Sequence, residues 1–389
     1  MLFKVKKIDW PILLILILFM GASTLVIKSA ILGNTGYTNY DMKNLVFYCL
    51  GFIVLLITSF IDYRIWVRFS IYIYLIGVIL LVTVYFFGTE INGAKGWFEL
   101  PYNLLFQPAE LVKLTLIISI AWFISRRNGD RLNLGGDVIP LGLIAFIPFV
   151  LVLIQPDLGN AIIYLVIFLG MAWIGNIKYT YVLIGTAAII AFLFMFIFLI
   201  DKYHDEVYVF LESKGSGHWL ERIDTFIDPD NSTGRQSAEA FKDSSYQVTK
   251  SKIAIGSGGL SGDGYLKGNS LHEGFIPFPY SDSIFVVIGE EFGFVGSSVL
   301  LLLYFLLIYR MILIAIQTVE LSGVYIIIGV VSMFVFQIFE NIGMLIGIMP
   351  LTGITLPFIS YGGSSLLINM ICIGIVLSIK MHQKHTPVY

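Results

Sequence analysis

The sequence predicts an all-α fold: a polytopic integral membrane protein with about ten transmembrane helices and one large extracytoplasmic loop, residues 1–389 forming one transmembrane domain. Hydrophobic residues make up 57% of the chain and charged residues 13%, and mean hydropathy is +0.87, well outside the composition of soluble domains. Apolar runs close to the ~20 residues that cross a bilayer recur along the chain. The connections between them alternate between rich and poor in Lys and Arg, as the positive-inside rule requires.

The first run, about residues 11–27, follows Lys4, Lys6 and Lys7. Its length, and the lack of an A-x-A site after it, favour an uncleaved helix over a signal peptide. Further runs lie near 45–60, 69–87, 108–124, 138–154, 158–175, 181–200, 284–308, 323–345 and 363–379. With the N-terminus inside, the inner segments hold Lys4, Lys6, Lys7, Arg64, Arg68, Arg126, Arg127, Arg131, Lys178, Arg310, Lys380 and Lys384, and the short outer loops only Lys28, Lys43 and Lys95. Both termini are then cytoplasmic, and the long loop, about 201–283, lies outside.

Several functions are excluded by what is missing. A net charge of −2 offers no basic surface to nucleic acid, so binding of anionic membrane lipids would rest on local Lys/Arg clusters. Cys49 and Cys372 lie inside apolar runs without partners, and the five histidines are scattered, which indicates neither a disulfide framework nor a zinc site. No GxxxxGK[ST] loop is present, and neither a nucleotide nor an organic cofactor is expected.

Function is sought where polar residues interrupt the apolar runs, because a charge at mid-bilayer costs about 2.5–3.5 kcal/mol. In the stretch Asn92 to Lys113, Glu110 and Lys113 are three apart and share a helix face. They form either a structural ion pair or a substrate-facing one. Trp97 is either a sugar-stacking ring or a member of the interfacial aromatic belt. The break Gln155-Pro156-Asp157-Leu158-Gly159 places Asp157 at a helix start, where an N-cap role competes with a functional one. The segment PLTGITLPFISYGGSSLL, Pro350 to Leu367, breaks the last hairpin, and such backbone is tolerated at membrane depth only inside protein or around a wet cavity. All three lie on the outer side and could line one cavity.

The stretch Ser251 to Gly296 organises the rest. Gly256, Gly258, Gly259, Gly262 and Gly264 lead through Pro277 and Pro279 to Asp282, which stands before a long apolar run. Glycines let backbone approach a ligand, and prolines fix the path back to the bilayer. The rival reading is a flexible connector whose Asp282 caps the next helix. Before it lie His218 to Arg222, then Asp228-Pro229, then a polar stretch, Asp230 to Ser245, that reads as mobile. The pieces flanking that stretch read as short interfacial helices.

The motifs together resemble the SEDS family, that of RodA, FtsW and SpoVE. The resemblance rests on NGA and KGW (Asn92 to Trp97), QPAELVK (Gln107 to Lys113), QPDLG (Gln155 to Gly159), Arg222 with Asp228-Pro229, the glycine-rich SKIAIGSGGL and GYL, and the SD-IFVVIGEEFGFVG block. NIGM (Asn341 to Met344) and PLTGITLPFISYGGSSLL complete it. The resemblance implies a peptidoglycan glycosyltransferase that polymerises lipid II at the outer face of the bacterial cytoplasmic membrane with a class B penicillin-binding protein. The glycine-rich segment is most like RodA, which implies a role in elongation and cell shape. The chain departs from the family in reading Tyr280-Ser281-Asp282-Ser283, where a His and a Phe usually flank the aspartate.

Sugar polymerisation from a prenyl diphosphate needs a base for the attacking hydroxyl and a cradle for the departing diphosphate. Asp282 is the candidate base. The cradle would draw on Lys113, Arg222 or Lys252 with the N–H groups of Gly256, Ser257, Gly258 and Gly259, or Asp282 would share a divalent cation, Mg2+ or Mn2+, with the diphosphate. The remaining substrate-binding candidates are Trp97, Glu110 and Asp157. A flippase for the lipid-linked precursor and a non-catalytic scaffold for a synthase stay open as alternatives.

Overall fold

The computed structural model describes residues 8–32, 39–91, 94–101, 104–181, 183–185, 187, 191, 195, 238–268 and 277–383. Helices dominate: α1 Trp10–Ala30, α2 Tyr40–Phe60, the short α3 Tyr63–Arg68 and α4 Ser70–Phe87 come first. They are followed by α5 Pro108–Ser125, α6 Ile139–Ile154 and α7 Leu158–Ile174. The last four are α8 Ala238–Ser257, α9 Ile284–Gln317, α10 Leu321–Leu345 and α11 Gly363–His382. Eight spans among the described residues are long and apolar enough to cross a membrane, with α7 shorter. The described residues of the 181–200 run are helical, and the rest of it lies outside the described residues.

Two helices form the centre. Burial takes in 78% of the apolar window of α5 and 72% of that of α11, against 28% for α4, so α5 and α11 are enclosed while α4 keeps a broad apolar surface for lipid. Around them, α11 packs on α2, α10 on α5 and α7, α9 on α10 and α1, and α8 on α9. Lys113 and Glu110 therefore sit on the most enclosed helix of the bundle.

The structure corrects three sequence expectations. Residues 89–106 are not a plain loop but an antiparallel sheet of β1 Thr89–Ile91, β2 Ala94–Leu100 and β3 Leu104–Phe106, with Thr89 opposite Trp97 and Phe98 opposite Phe106. Residues 238–245, read as part of a mobile loop stretch, are helical and belong to α8. Helix α9 runs on to Gln317 and is broken at Gly293, whose φ of +62° is left-handed.

The glycine-rich loop serves that break. Asp263 and Gly264 donate N–H bonds to the Glu290 and Glu291 carbonyls, both at 3.0 Å, while Phe294 and Val295 donate to the Gly259 and Leu260 carbonyls at 2.9 and 3.1 Å. The loop thus takes over hydrogen bonds that the kinked helix cannot make with itself.

At the opposite end of α9, one carboxylate ties three helices. Asp9 caps α1 by accepting from the Ile12 N–H, and its buried carboxylate accepts from Arg310 on α9 and Lys380 on α11, each at 2.7 Å. Burial pushes the Asp9 carboxyl up, but the Arg310 and Lys380 hydrogen bonds outweigh it and hold it below its ordinary value. A carboxyl depressed in this way adds stability that is complete above the unfolded value near 4 and is lost as pH falls through the folded one. Asp9→Asn should therefore lower stability by about 1–3 kcal/mol at neutral pH. In thermal melts across pH, the gap to wild type should close on acidification, and a gap that is constant down to strong acid would contradict this role.

Candidate active site

Asp282 lies in the turn that leads into α9, half-buried. The chain reaches it through Pro277 and Pro279, with the Ser281 N–H bonded to the Phe278 carbonyl at 3.0 Å. The helix cap falls to the next residue, Ser283, whose side chain makes no capping bond. Asp282 is thus placed one residue outside the position that the capping alternative assigned to it.

Three contacts fix this turn against the broken last hairpin. The Tyr361 N–H donates to the Tyr280 carbonyl at 2.9 Å. The Asn341 side-chain amide donates to the carbonyls of Asp282 and Ile354, both at 2.7 Å, so one amide spans the two segments. Gly353, at φ +74°, brings its backbone beside the carboxylate, and a Cβ there would stand 3.7 Å from Asp282 Oδ2. Tyr280, standing where the family pattern has a His, packs edge-on to Tyr40 and Tyr361 at 5.1 and 6.0 Å between ring centroids. From α8, Gln247 donates to the Ser283 hydroxyl at 3.3 Å.

The irregular 350–362 backbone obeys the rule for non-helical chain at membrane depth. Its carbonyls are taken by side chains from the helices around it: Phe358 by Tyr48, Pro357 by Tyr304, and Ile359 by Ser23 at 2.7 Å. The Leu356 N–H goes to the Ser360 hydroxyl at 2.8 Å. Most of the segment is thus buried in protein and tied to the helices around it, with Gly353 exposed.

A charged cluster adjoins the far side of this segment. Lys113 Nζ and Glu110 Oε1 are 2.7 Å apart, with side chains only 1% and 6% exposed. Asp157 caps α7 through the Asn160 N–H at 3.1 Å, and it also accepts from the Asn160 and Gln107 side chains at 2.8 and 2.9 Å. The capping role is therefore real, and Gln107 extends it to the start of α5. Burial pushes the Asp157 carboxyl up from its ordinary value, against the Asn160 hydrogen bonds and the charge of Lys113. Gly159 packs so closely on Ile354 and Thr352 that a Cβ would stand 2.4 Å from Ile354 Cγ1. The helix starts at Pro108, Leu158 and Ile284 and the 350–362 segment are thereby gathered at one end of the bundle.

Other sequence candidates have different placements. Trp97 is half-buried in β2, next to Gly96, which faces the Gln107 amide. The expected N–H cradle of Gly256 to Gly259 is corrected: Gly256 and Ser257 form the last turn of α8, and the Ser257 hydroxyl bonds the Ala254 carbonyl at 2.8 Å. Gly258 lies flat against α9, where a Cβ would meet the Gly289 carbonyl at 2.1 Å. Gly258 is small so that two backbones can meet, whereas a Cβ at Gly256 or Gly259 would stand in open space. Lys113 is likewise enclosed by its ion pair, whereas Lys252 is exposed on α8 and packs over Gly347. Arg222 lies outside the described residues.

Sequence reasoning assigned no part to Glu340, fully buried on α10 within electrostatic reach of Lys113 and Asp157, nor to the Asn341 amide. The available signal was a lone carboxylate inside an otherwise apolar span.

Residues 6–385 match the family of FtsW, RodA and SpoVE, described as cell cycle protein. The chain is 34% identical over 377 residues to the peptidoglycan glycosyltransferase MrdB of Escherichia coli (strain K12), covering 97% of this chain and 94% of that protein. It superposes on the rod shape determining protein RodA of Thermus thermophilus with a TM-score of 0.67 at 25% identity, covering 97% of this chain and 98% of that one. A chain of a peptidoglycan synthase complex that coordinates polymerization and crosslinking gives 0.73 at 26% identity, covering 96% and 97%.

Proposed function

We infer the function from the family to which the chain belongs, that of FtsW, RodA and SpoVE: it is a multi-pass membrane protein and a peptidoglycan glycosyltransferase. The donor is lipid II, the undecaprenyl-diphosphate-linked disaccharide-pentapeptide, and the product is a glycan strand made at the outer face of the cytoplasmic membrane for elongation and cell shape. The observation that carries this reading is the position of Asp282, held outside the helix cap and against the 350–362 segment by Asn341 and Gly353.

Asp282 takes the proton of the attacking sugar hydroxyl as that oxygen bonds to the anomeric carbon of the donor. The bond from that carbon to the diphosphate oxygen breaks, and the prenyl diphosphate leaves with the bonding electrons. Lys252, exposed on the helix that also carries Gln247, would meet the diphosphate. Among the described residues, no three His, Cys, Asp or Glu side chains gather to hold an ion. A divalent cation at Asp282 would take its other ligands from the substrate, where it would neutralise diphosphate charge. The partner is a class B penicillin-binding protein, in keeping with the synthase complex that the chain resembles.

Outward placement of the site is tested by labelling. In a background lacking Cys49 and Cys372, Leu260→Cys should react with an impermeant thiol reagent in intact cells and Asp130→Cys should not. The reverse pattern would invert the topology. Reconstituted vesicles separate the enzyme from its rivals: lipid II in the leaflet facing the glycine-rich loop should be consumed into polymer. Movement of intact lipid II between leaflets without polymer would favour a transporter, and neither outcome would favour a scaffold.

A further inference from the structure

The turn that carries Asp282 does little to hold itself in place. Phe278 has a φ of +48°, a left-handed backbone that a bulky residue keeps only when its surroundings impose it. At the other end of the turn, Ser283 begins α9 without a side-chain capping bond. The place of the Asp282 carboxylate therefore depends on contacts from outside. The Asn341 amide and the Tyr361 N–H supply two of them, both to main-chain carbonyls of the turn.

A third comes from α2, which takes no part in the proposed chemistry. Tyr40 opens that helix, and Asn39 before it is left-handed at φ +66°, a conformation that Asn adopts more readily than most residues. The Tyr40 ring stacks on that of Tyr361, with 4.5 Å between centroids and 17° between planes. The same ring meets Tyr280 at 5.1 Å and 89°, and Tyr280 stands edge-on to Tyr361 and Phe278 at 6.0 and 6.4 Å. Stacked and edge-to-face rings attract through their quadrupoles, so the cluster favours one mutual arrangement. Tyr280 lies two residues before Asp282 and carries that arrangement to it.

Helix α2 is a firm support for such a brace. Tyr40, Asn44, Phe47, Tyr48 and Gly51 recur at the three- and four-residue steps that share one helix face. Asn44 donates to the Ser23 hydroxyl at 2.9 Å, and the Tyr48 hydroxyl donates to the Phe358 carbonyl. Phe47 lies so close to Gly363 that a Cβ there would stand 2.6 Å from its Cζ, and Gly51 leaves the same kind of room for Met370. One face of α2 is thereby locked to the 358–363 backbone and α11, and Tyr40 is its first member.

We propose that Tyr40 is a positioning residue for glycosyl transfer, whose ring braces Tyr280 and so fixes the Asp282 turn against α2. The role rests on Asp282 as the reacting carboxylate. A reacting group misplaced by about 1 Å can cost about 10²-fold in rate, so loss of the ring should appear in turnover rather than in donor binding.

The test combines kinetics with fluorine NMR. In lipid II polymerisation, Tyr40→Leu should lose at least about tenfold in kcat with KM unchanged, whereas Tyr40→Phe, which keeps the ring, should stay within about threefold of wild type. A para-fluorophenylalanine in place of Tyr280 labels the cluster, and its fluorine resonance should move with Tyr40→Leu and far less with Tyr40→Phe. A Leu variant at the wild-type rate, a Phe variant as slow as the Leu variant, a loss confined to KM, or a resonance that Tyr40→Leu leaves in place would each overturn the proposal. If Tyr40→Leu does not fold, Tyr280→Leu makes the kinetic comparison from the other side of the contact, with the same loss in kcat expected and wild-type turnover as the contrary result. An active Asp282→Asn protein would overturn the base and leave the fluorine shift intact, so the two failures are distinguishable.

Discussion

Asp282→Asn will lower glycan polymerisation by at least about 10²-fold, within the range for groups that move a proton in the transition state, while expression, melting and partner binding stay at wild-type levels. The amide keeps the shape of the side chain and an oxygen acceptor but cannot serve as a base or hold a cation. Were the residue only a helix cap, the same change would cost at most about 1 kcal/mol of stability and leave turnover near normal. The structure separates these outcomes in advance, because the cap of α9 is Ser283 and the Asp282 carboxylate lies beside Gly353. Its main chain is held by the Asn341 side-chain amide. A variant that still made long strands at close to the wild-type rate would remove Asp282 from the chemistry.

The second large effect concerns Lys113 and Glu110. Both are enclosed on the most buried helix, 2.7 Å apart, so removing one partner leaves a desolvated charge. Glu110→Gln and Lys113→Met should each cost about 3–5 kcal/mol, and the double substitution less than either. Thermal melts of the three variants in detergent check this, and a double variant no more stable than the worse single would break the pairing. With both side chains nearly inaccessible, a structural effect of this size is what the ion-pair reading expects.

The spans were legible in the sequence because hydropathy reports directly on the bilayer, and the pairing of Glu110 with Lys113 followed from helical spacing alone. Hydropathy is blind where it is not the governing force. The 89–106 sheet went unread although Asn92-Gly93 is a strong hairpin signal between residues that later pair as β1 and β2. The residues 238–245 read as mobile because their composition is polar and small, whereas the backbone there is helical and continuous with the part of α8 that packs on α9. The stretch Gly256 to Gly259 reads as an N–H cradle for a ligand, since sequence shows that backbone must come close to something but not to what. Here it is the kink at Gly293. Glu340 escaped notice because its neighbours Lys113 and Asp157 are distant in sequence, and only the packing of α10 on α5 and α7 brings them together.

The most direct measurement is a gel of the products made by purified wild-type protein from lipid II and a divalent cation, with the class B penicillin-binding protein added. A ladder of polymerised glycan strands is the predicted result. Lipid II that stays monomeric under these conditions, with a folded protein, would contradict the assignment of this chain as the polymerase.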